Sequence, residues 1–156
     1  MTDKTSVLFV CLGNICRSPM AEAVFAHKVK ENNLTENFTI DSAGTTGYHI
    51  GDTPDERSVK TCVAHGVNVN HLARQVCKAD FDKFDYILCM DRSNLSDLLQ
   101  LQPKKSKAIV KMFGEYDDQG ERVIADPYYG GRSGFEHNFQ QVTRCSIGFL
   151  KELGML

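Results

Sequence analysis

The sequence predicts an α/β domain, a four-stranded parallel sheet with helices on both faces. Three observations carry that expectation. Four short apolar runs, suited to strands buried on both faces, alternate with segments of helical spacing. Strands that alternate with helices become parallel neighbours through right-handed crossovers. The chain has 156 residues, with 42% hydrophobic and 24% charged, the size and composition of an ordinary globular domain. A chain of this length buries roughly two-thirds of its unfolded surface, so it needs no disulfide or metal staple. Residues 1–156 are therefore expected to form a single domain.

The elements follow in order. Ser6-Val7-Leu8-Phe9-Val10 is the first strand. Cys11 to Arg17 is a loop, because Gly13 and Asn14 both tolerate positive φ. Ser18-Pro19 opens a helix, with Ser18 as N-cap and Pro19 at the first helical position. Ala21, Val24, Phe25 and Val29 share its apolar face. Phe38-Thr39-Ile40 is the second strand, and Ala43 to Gly51 a glycine-rich loop. Thr53-Pro54-Asp55-Glu56 reads as a capping box that starts a second helix, which Gly66 ends. Tyr86-Ile87-Leu88-Cys89-Met90 is the third strand, followed by a helix capped from Asp91-Arg92-Ser93. Ala108 to Phe113 is the fourth strand. The segment Gly114 to Arg132 is unusually long for a connection inside a domain, and such loops are commonly functional. Ser133-Gly134-Phe135-Glu136 opens the last helix, whose buried stripe is Phe135, Phe139, Val142, Ser146, Phe149, Leu150 and Leu153. The order is that of a flavodoxin-like or Rossmann-like three-layer fold. Ligands of such folds bind outside the carboxyl ends of the strands.

Composition narrows the partners. The formal net charge of −2 supplies no basic field for nucleic acid. No apolar run approaches the roughly 18 residues of a membrane span. The N-terminus lacks the apolar stretch and cleavage site of a secretory signal. Six cysteines, at 11, 16, 62, 77, 89 and 145, include no C-x-x-C pair, which disfavours a zinc ribbon. Free thiols in a reducing, cytoplasmic setting are expected, with no metal and no cofactor. A monomer is the default.

The stretch with chemical content is Val10-Cys11-Leu12-Gly13-Asn14-Ile15-Cys16-Arg17-Ser18. A tight loop between a strand and a helix start aims backbone N–H groups at one point, and the helix N-terminus adds positive potential. A tetrahedral oxyanion such as phosphate fits there. Cys11 faces those amides and Arg17, which favours its thiolate, a nucleophile. The planar guanidinium of Arg17 binds two phosphate oxygens at once and stabilises them during in-line displacement. Ser18 can donate to the thiolate. The absence of a Gly-Lys-Ser/Thr run sets the loop apart from a Walker motif. An alkoxide or phenolate leaves poorly, so the mechanism also needs a general acid. Asp126, in Asp126-Pro127-Tyr128-Tyr129, lies in the long fourth loop; Asp91 is the rival, with a helix N-cap as its other reading.

On these motifs the sequence resembles the low-molecular-weight protein tyrosine phosphatases, from about Val7 to Leu150. Asp41-Ser42, Thr53-Pro54-Asp55, His71-Leu72-Ala73-Arg74 and Cys89-Met90-Asp91-Arg92-Ser93-Asn94 add to the match. The resemblance implies Cys11 as nucleophile, Arg17 as phosphate binder and Asp126 as proton donor. It implies that Asn14, Ser42 and His71 hold the loop in shape and that Ser18 stabilises the thiolate. It implies a reversible Cys11–Cys16 disulfide, and phosphorylation of Tyr128 and Tyr129. The expected substrates are phosphotyrosine proteins or peptides and small aryl phosphates, with acid phosphatase activity and inorganic phosphate as product. The substrate-binding set is Leu12, Gly13, Asn14, Ile15, Cys16, Ser18, Tyr48, Tyr128 and Tyr129. Leu12 and Ile15 flank the loop, and the tyrosines wall a slot for a flat ring. Three other readings compete: an arsenate reductase using Cys77 and Cys89, a phosphoarginine phosphatase, for which Ile15 replaces the usual threonine, and a phosphoprotein-binding module without turnover.

Overall fold

The computed structural model describes residues 4–128, 130 and 132–156. Four parallel strands run in the order β2-β1-β3-β4: β1 Thr5–Cys11, β2 Phe38–Gly44, β3 Tyr86–Cys89 and β4 Ile109–Met112. The helices are α1 Arg17–Glu31, α2 Glu56–Ala64, α3 Asp80–Lys83, α4 Arg92–Leu101 and α5 Arg132–Glu152. The architecture is the three-layer α/β arrangement that the alternation predicts. The sequence did not signal α3, a single turn of only four residues.

β1 lies inside the sheet and is buried on both faces, Val7 to Val10 being fully inaccessible. On one face Val7 and Phe9 pack with α1 and α5, where Phe9, Phe25, Phe113 and Phe149 form edge-on and tilted ring pairs. On the other, Leu8 and Val10 meet Phe81 of α3 and Leu98 of α4. Each such side chain contributes roughly 1.5–3 kcal/mol by leaving water. The frame that fixes the end of β1 is therefore rigid. The register sets Cys11 opposite Gly44 and Val10 opposite Cys89, so the carboxyl ends of β1, β2 and β3 converge. A Cβ at Gly44 would stand 2.8 Å from the Leu12 carbonyl oxygen, so only glycine lets the loop after β1 lie against the end of β2.

Three helix starts differ from expectation. α1 begins at Arg17, with Cys16 as N-cap and no side chain capping its first turn. Ser18 is inside the helix and its hydroxyl is engaged by Cys11 and Asn14 instead. α2 begins at Glu56, because Asp55 rather than Thr53 caps it, accepting the Arg57 amide. α5 already includes Ser133. Gly66 does follow the end of α2, with φ of +77°.

Candidate active site

The loop between β1 and α1 is shaped by Asn14. Its φ of +59° turns the chain, and its side chain is fully buried behind the loop. The amide nitrogen donates to Ser18 Oγ at 2.8 Å and Ser42 Oγ at 3.0 Å, and the amide oxygen accepts from the Arg74 backbone at 3.0 Å. His71 Nε2 lies 2.8 Å from that same oxygen, so Nε2 is the donor and Nδ1 is left facing Glu22 at 3.3 Å. Ser42 donates to Glu22 at 2.6 Å. Burial pushes the Glu22 carboxyl up to about 7 and the His71 imidazole down. Both shifts favour the uncharged forms of the two groups. From outside, the Asp55 amide donates to the Ile15 carbonyl at 2.7 Å and Ser58 Oγ to the Cys16 carbonyl at 2.9 Å.

The Cys11 thiol, only 2% exposed, lies 3.0 Å from Ser18 Oγ. Arg17 is equally buried. It donates through Nη1 to Asp91 at 2.6 Å and to the Ile124 carbonyl at 2.9 Å, while Nη2 stands 3.7 Å from Asp126. Burial opposes its charge, but Cys11, Asp91 and Asp126 more than offset this and raise its pKa. The Cys16 pKa is raised as well, by burial first and then by Asp55 and Cys11, which favours its neutral thiol. Cys11 and Cys16 are both free in this structure.

A cleft of about 200 Å³ opens over the loop, lined by Cys11, Leu12, Gly13, Ile15, Cys16, Arg17, Tyr48, His49, Asp126 and Tyr128. Most of the predicted set thus meets in one place. The side chains of Asn14 and Ser18 lie behind the loop and build it rather than line the cleft. Tyr129 lies outside the described residues. His49 was missed by sequence reasoning. It packs so closely on Gly13 that a Cβ there would meet its ring at 2.9 Å.

The two candidate acids bracket Arg17 differently. Asp91 is the N-cap of α4, in a reciprocal capping box with Asn94, and its second oxygen holds Arg17. Both its oxygens are engaged. Asp126 is 37% exposed along its side chain, faces the cleft, and accepts the Tyr128 amide at 3.0 Å. Among the described residues, Glu22, Asp41 and His71 are the group whose donor atoms are close enough to hold a metal. They are already paired with one another, with Ser42 and with Arg74.

This geometry has a counterpart among known sequences. The model of the family described as low molecular weight phosphotyrosine protein phosphatase matches residues 6–155. The chain belongs to that family. The human low molecular weight phosphotyrosine protein phosphatase is 53% identical over 149 residues, covering 94% of each chain. A solved protein tyrosine phosphatase from Entamoeba histolytica superposes with a TM-score of 0.92 at 37% identity, covering 98% of this chain and 100% of that one. A Drosophila arginine phosphatase superposes with a TM-score of 0.89 at 36% identity, covering 94% and 96%. Within the family's loop, Cys11 and Arg17 occupy the Cys-x5-Arg positions. No helix among the described residues is long and apolar enough to cross a membrane.

Proposed function

We propose that this phosphatase hydrolyses phosphotyrosine in proteins or peptides, and small aryl phosphates, through a cysteinyl-phosphate intermediate. The observation that carries the reading is one cleft lined by Cys11, Arg17 and Asp126 above an uncapped helix start. The loop amides and Arg17 hold the phosphoryl oxygens. The Cys11 thiolate attacks phosphorus in line, and the P–O bond to the phenol breaks as Asp126 passes its proton to the leaving oxygen. The Asp126 carboxylate then takes a proton from water, whose oxygen attacks the phosphorus. The S–P bond breaks, inorganic phosphate forms and the thiolate returns.

Leu12, Ile15, Tyr48 and Tyr128 offer an apolar rim to an aromatic leaving group. The Drosophila neighbour is named an arginine phosphatase, but the branched hydrocarbon of Ile15 beside the loop suits an aryl ring better than a guanidinium. We place the activity in one catalytic domain, residues 1–156, acting as a cytoplasmic monomer without metal or cofactor. Acid phosphatase behaviour follows, because one group must hold a proton while the other has lost its own. Cys16 is the proposed disulfide partner of Cys11.

The test is release of phosphate from a phosphotyrosine peptide in excess chelator at mildly acidic pH. Wild-type protein is expected to release it and Cys11→Ser to release none. Well-folded, reduced wild-type protein that releases none overturns the reading.

A further inference from the structure

The first turn of α2 touches both halves of the cleft. Its Asp55 and Ser58 grip the phosphate loop through the Ile15 and Cys16 carbonyls. Between them stands Arg57, whose guanidinium is held by Asp55 through Nε at 3.1 Å and Nη2 at 3.0 Å. The same guanidinium lies over two aromatic rings, Phe135 of α5 at 4.7 Å and Tyr128 at 5.3 Å from the ring centres. Phe135 is buried, so it is a fixed platform, while Tyr128 is 39% exposed. The Tyr128 amide in turn donates to Asp126.

We propose that Arg57 is a positioning residue for the proton donor, clamping Tyr128 against α5 and so holding Asp126 over the thiol of Cys11. The proposal rests on the phosphatase reading above and names a residue outside the cleft lining. Its physical basis is the geometry of the clamp. The Asp55 fork orients the guanidinium plane, and a flat cation attracts the faces of aromatic rings. Pro127, between donor and clamp, packs toward Gly134 of α5, where a Cβ would come within 3.3 Å of the proline ring. With Pro127 fixed, Tyr128 has few ways to move without carrying the Asp126–Tyr128 hydrogen bond along. An acid displaced by about 1 Å loses most of its effect on a poor leaving group and little on a good one.

The experiment uses the full chain with Arg57→Met, which keeps the aliphatic stem, and Arg57→Lys, which keeps the charge without the fork. kcat/KM is measured across aryl phosphates from p-nitrophenyl to phenyl. Arg57→Met is expected to lose about five- to tenfold on phenyl phosphate and less than about twofold on p-nitrophenyl phosphate. Arg57→Lys should fall between. Inhibition by inorganic phosphate should be unchanged, since the phosphate loop is intact. Hydrogen exchange at the Tyr128 amide should quicken in Arg57→Met, a readout independent of turnover. An equal loss on every leaving group, no loss at all, or unchanged exchange at Tyr128 overturns the proposal. If Arg57→Met fails to fold, Arg57→Lys carries the same comparison. A wild type that turns over nothing defeats the phosphatase reading, whereas the amide exchange still decides whether Arg57 holds Tyr128.

Discussion

The loop from Cys11 to Arg17 and the segment leading to Asp126 share one cleft but are held in opposite ways. The first is braced from within. Asn14, Ser18 and Ser42 are fully buried and satisfy one another, with His71, Arg74 and Glu22 closing the network behind them. The second carries an exposed acid and is moored from outside, at separate points along the chain. Arg144 of α5 binds Asp117 and Glu121, Gln141 takes the Val123 carbonyl, Asn138 the Ala125 carbonyl, and Arg17 the Ile124 carbonyl. An anion cradle must present many amides at one point, so it needs internal rigidity. A proton donor presents one carboxyl, so it tolerates a longer, looser tether.

The contrast predicts that the two regions fail differently. Asp126→Ala should cost about 10²–10⁴-fold in kcat/KM on phenyl phosphate, much less on p-nitrophenyl phosphate, and leave the melting temperature unchanged. A comparable loss on both substrates would assign the proton elsewhere. Asn14→Ala should damage stability and activity together. It removes partners of Ser18, Ser42, His71 and the Arg74 amide and puts alanine at a left-handed φ, for about 3–5 kcal/mol in all. Denaturant unfolding with the phosphate inhibition constant measures both. Stability lost without loss of phosphate affinity would break the claim that the network shapes the cradle.

The same contrast explains what the sequence revealed. The cradle is seven consecutive residues, from the last of a strand to the first of a helix, so the grouping of Cys11, Gly13 and Arg17 was legible from spacing and local chemistry. The four strands were legible as short apolar runs, although only β1 and β3 are buried on both faces and the edge strand β4 is largely exposed. Asp126, the proposed acid, stands in the sequence only as a carboxyl in a long loop, and position alone leaves Asp91 as a rival. The observation that favours the proposal is tertiary: Asp91 caps α4 and holds Arg17 at 2.6 Å, whereas Asp126 lines the cleft. Ser18 was misread as a cap because Ser-Pro is a helix-start signal, yet a thiol and an amide brought close by the turn claim its hydroxyl. Glu22 and Arg57 gave no signal, and His49, which lines the cleft, stood out only as the neighbour of Tyr48. Glu22 and Arg57 touch partners distant in sequence, and single polar residues at such positions look like ordinary surface.

The moorings of the acid segment can be loosened far from the cleft. Asp117 has a fully buried carboxylate held on both oxygens by Arg144. Burial alone would raise its pKa; the Arg144 fork and backbone amides overcome this and hold it below the usual carboxylate range. Arg144→Met leaves that charge unpaired and should cost about 2–4 kcal/mol. The wild type's contribution from Asp117 is present above the ordinary carboxylate pKa and lost as pH falls below it, so the gap between wild type and variant should narrow in acid. A gap that widens in acid would contradict the pairing. Activity on phenyl phosphate should fall only a few-fold, since Arg17, Gln141 and Asn138 still hold the segment.

The smallest effect tests the proton buried behind the cradle. Glu22 faces His71 Nδ1, with Asp41 and Arg74 nearby and Ser42 donating to it. Its carboxyl is raised from 4.5 to about 7, chiefly by burial. Between those values the folded protein holds a proton that the unfolded chain has released, so this group makes stability fall as pH rises through the window. The full shift corresponds to at most about 3 kcal/mol. Glu22→Gln is the matching variant, because it keeps the size of the side chain and an oxygen that can accept from Ser42 but does not titrate. The lowered pKa of His71 acts in the opposite direction, since the unfolded chain takes up a proton in acid that the folded imidazole refuses, and it is common to both proteins. The difference between the two unfolding free energies therefore isolates Glu22. The proteins should be equally stable near pH 4.5, and the glutamine variant should become progressively the more stable up to pH 8. A wild type that gains on the variant over that range would mean Glu22 is an ordinary carboxylate paired with an imidazolium, and the cradle would rest on an ion pair instead of a protonated carboxyl.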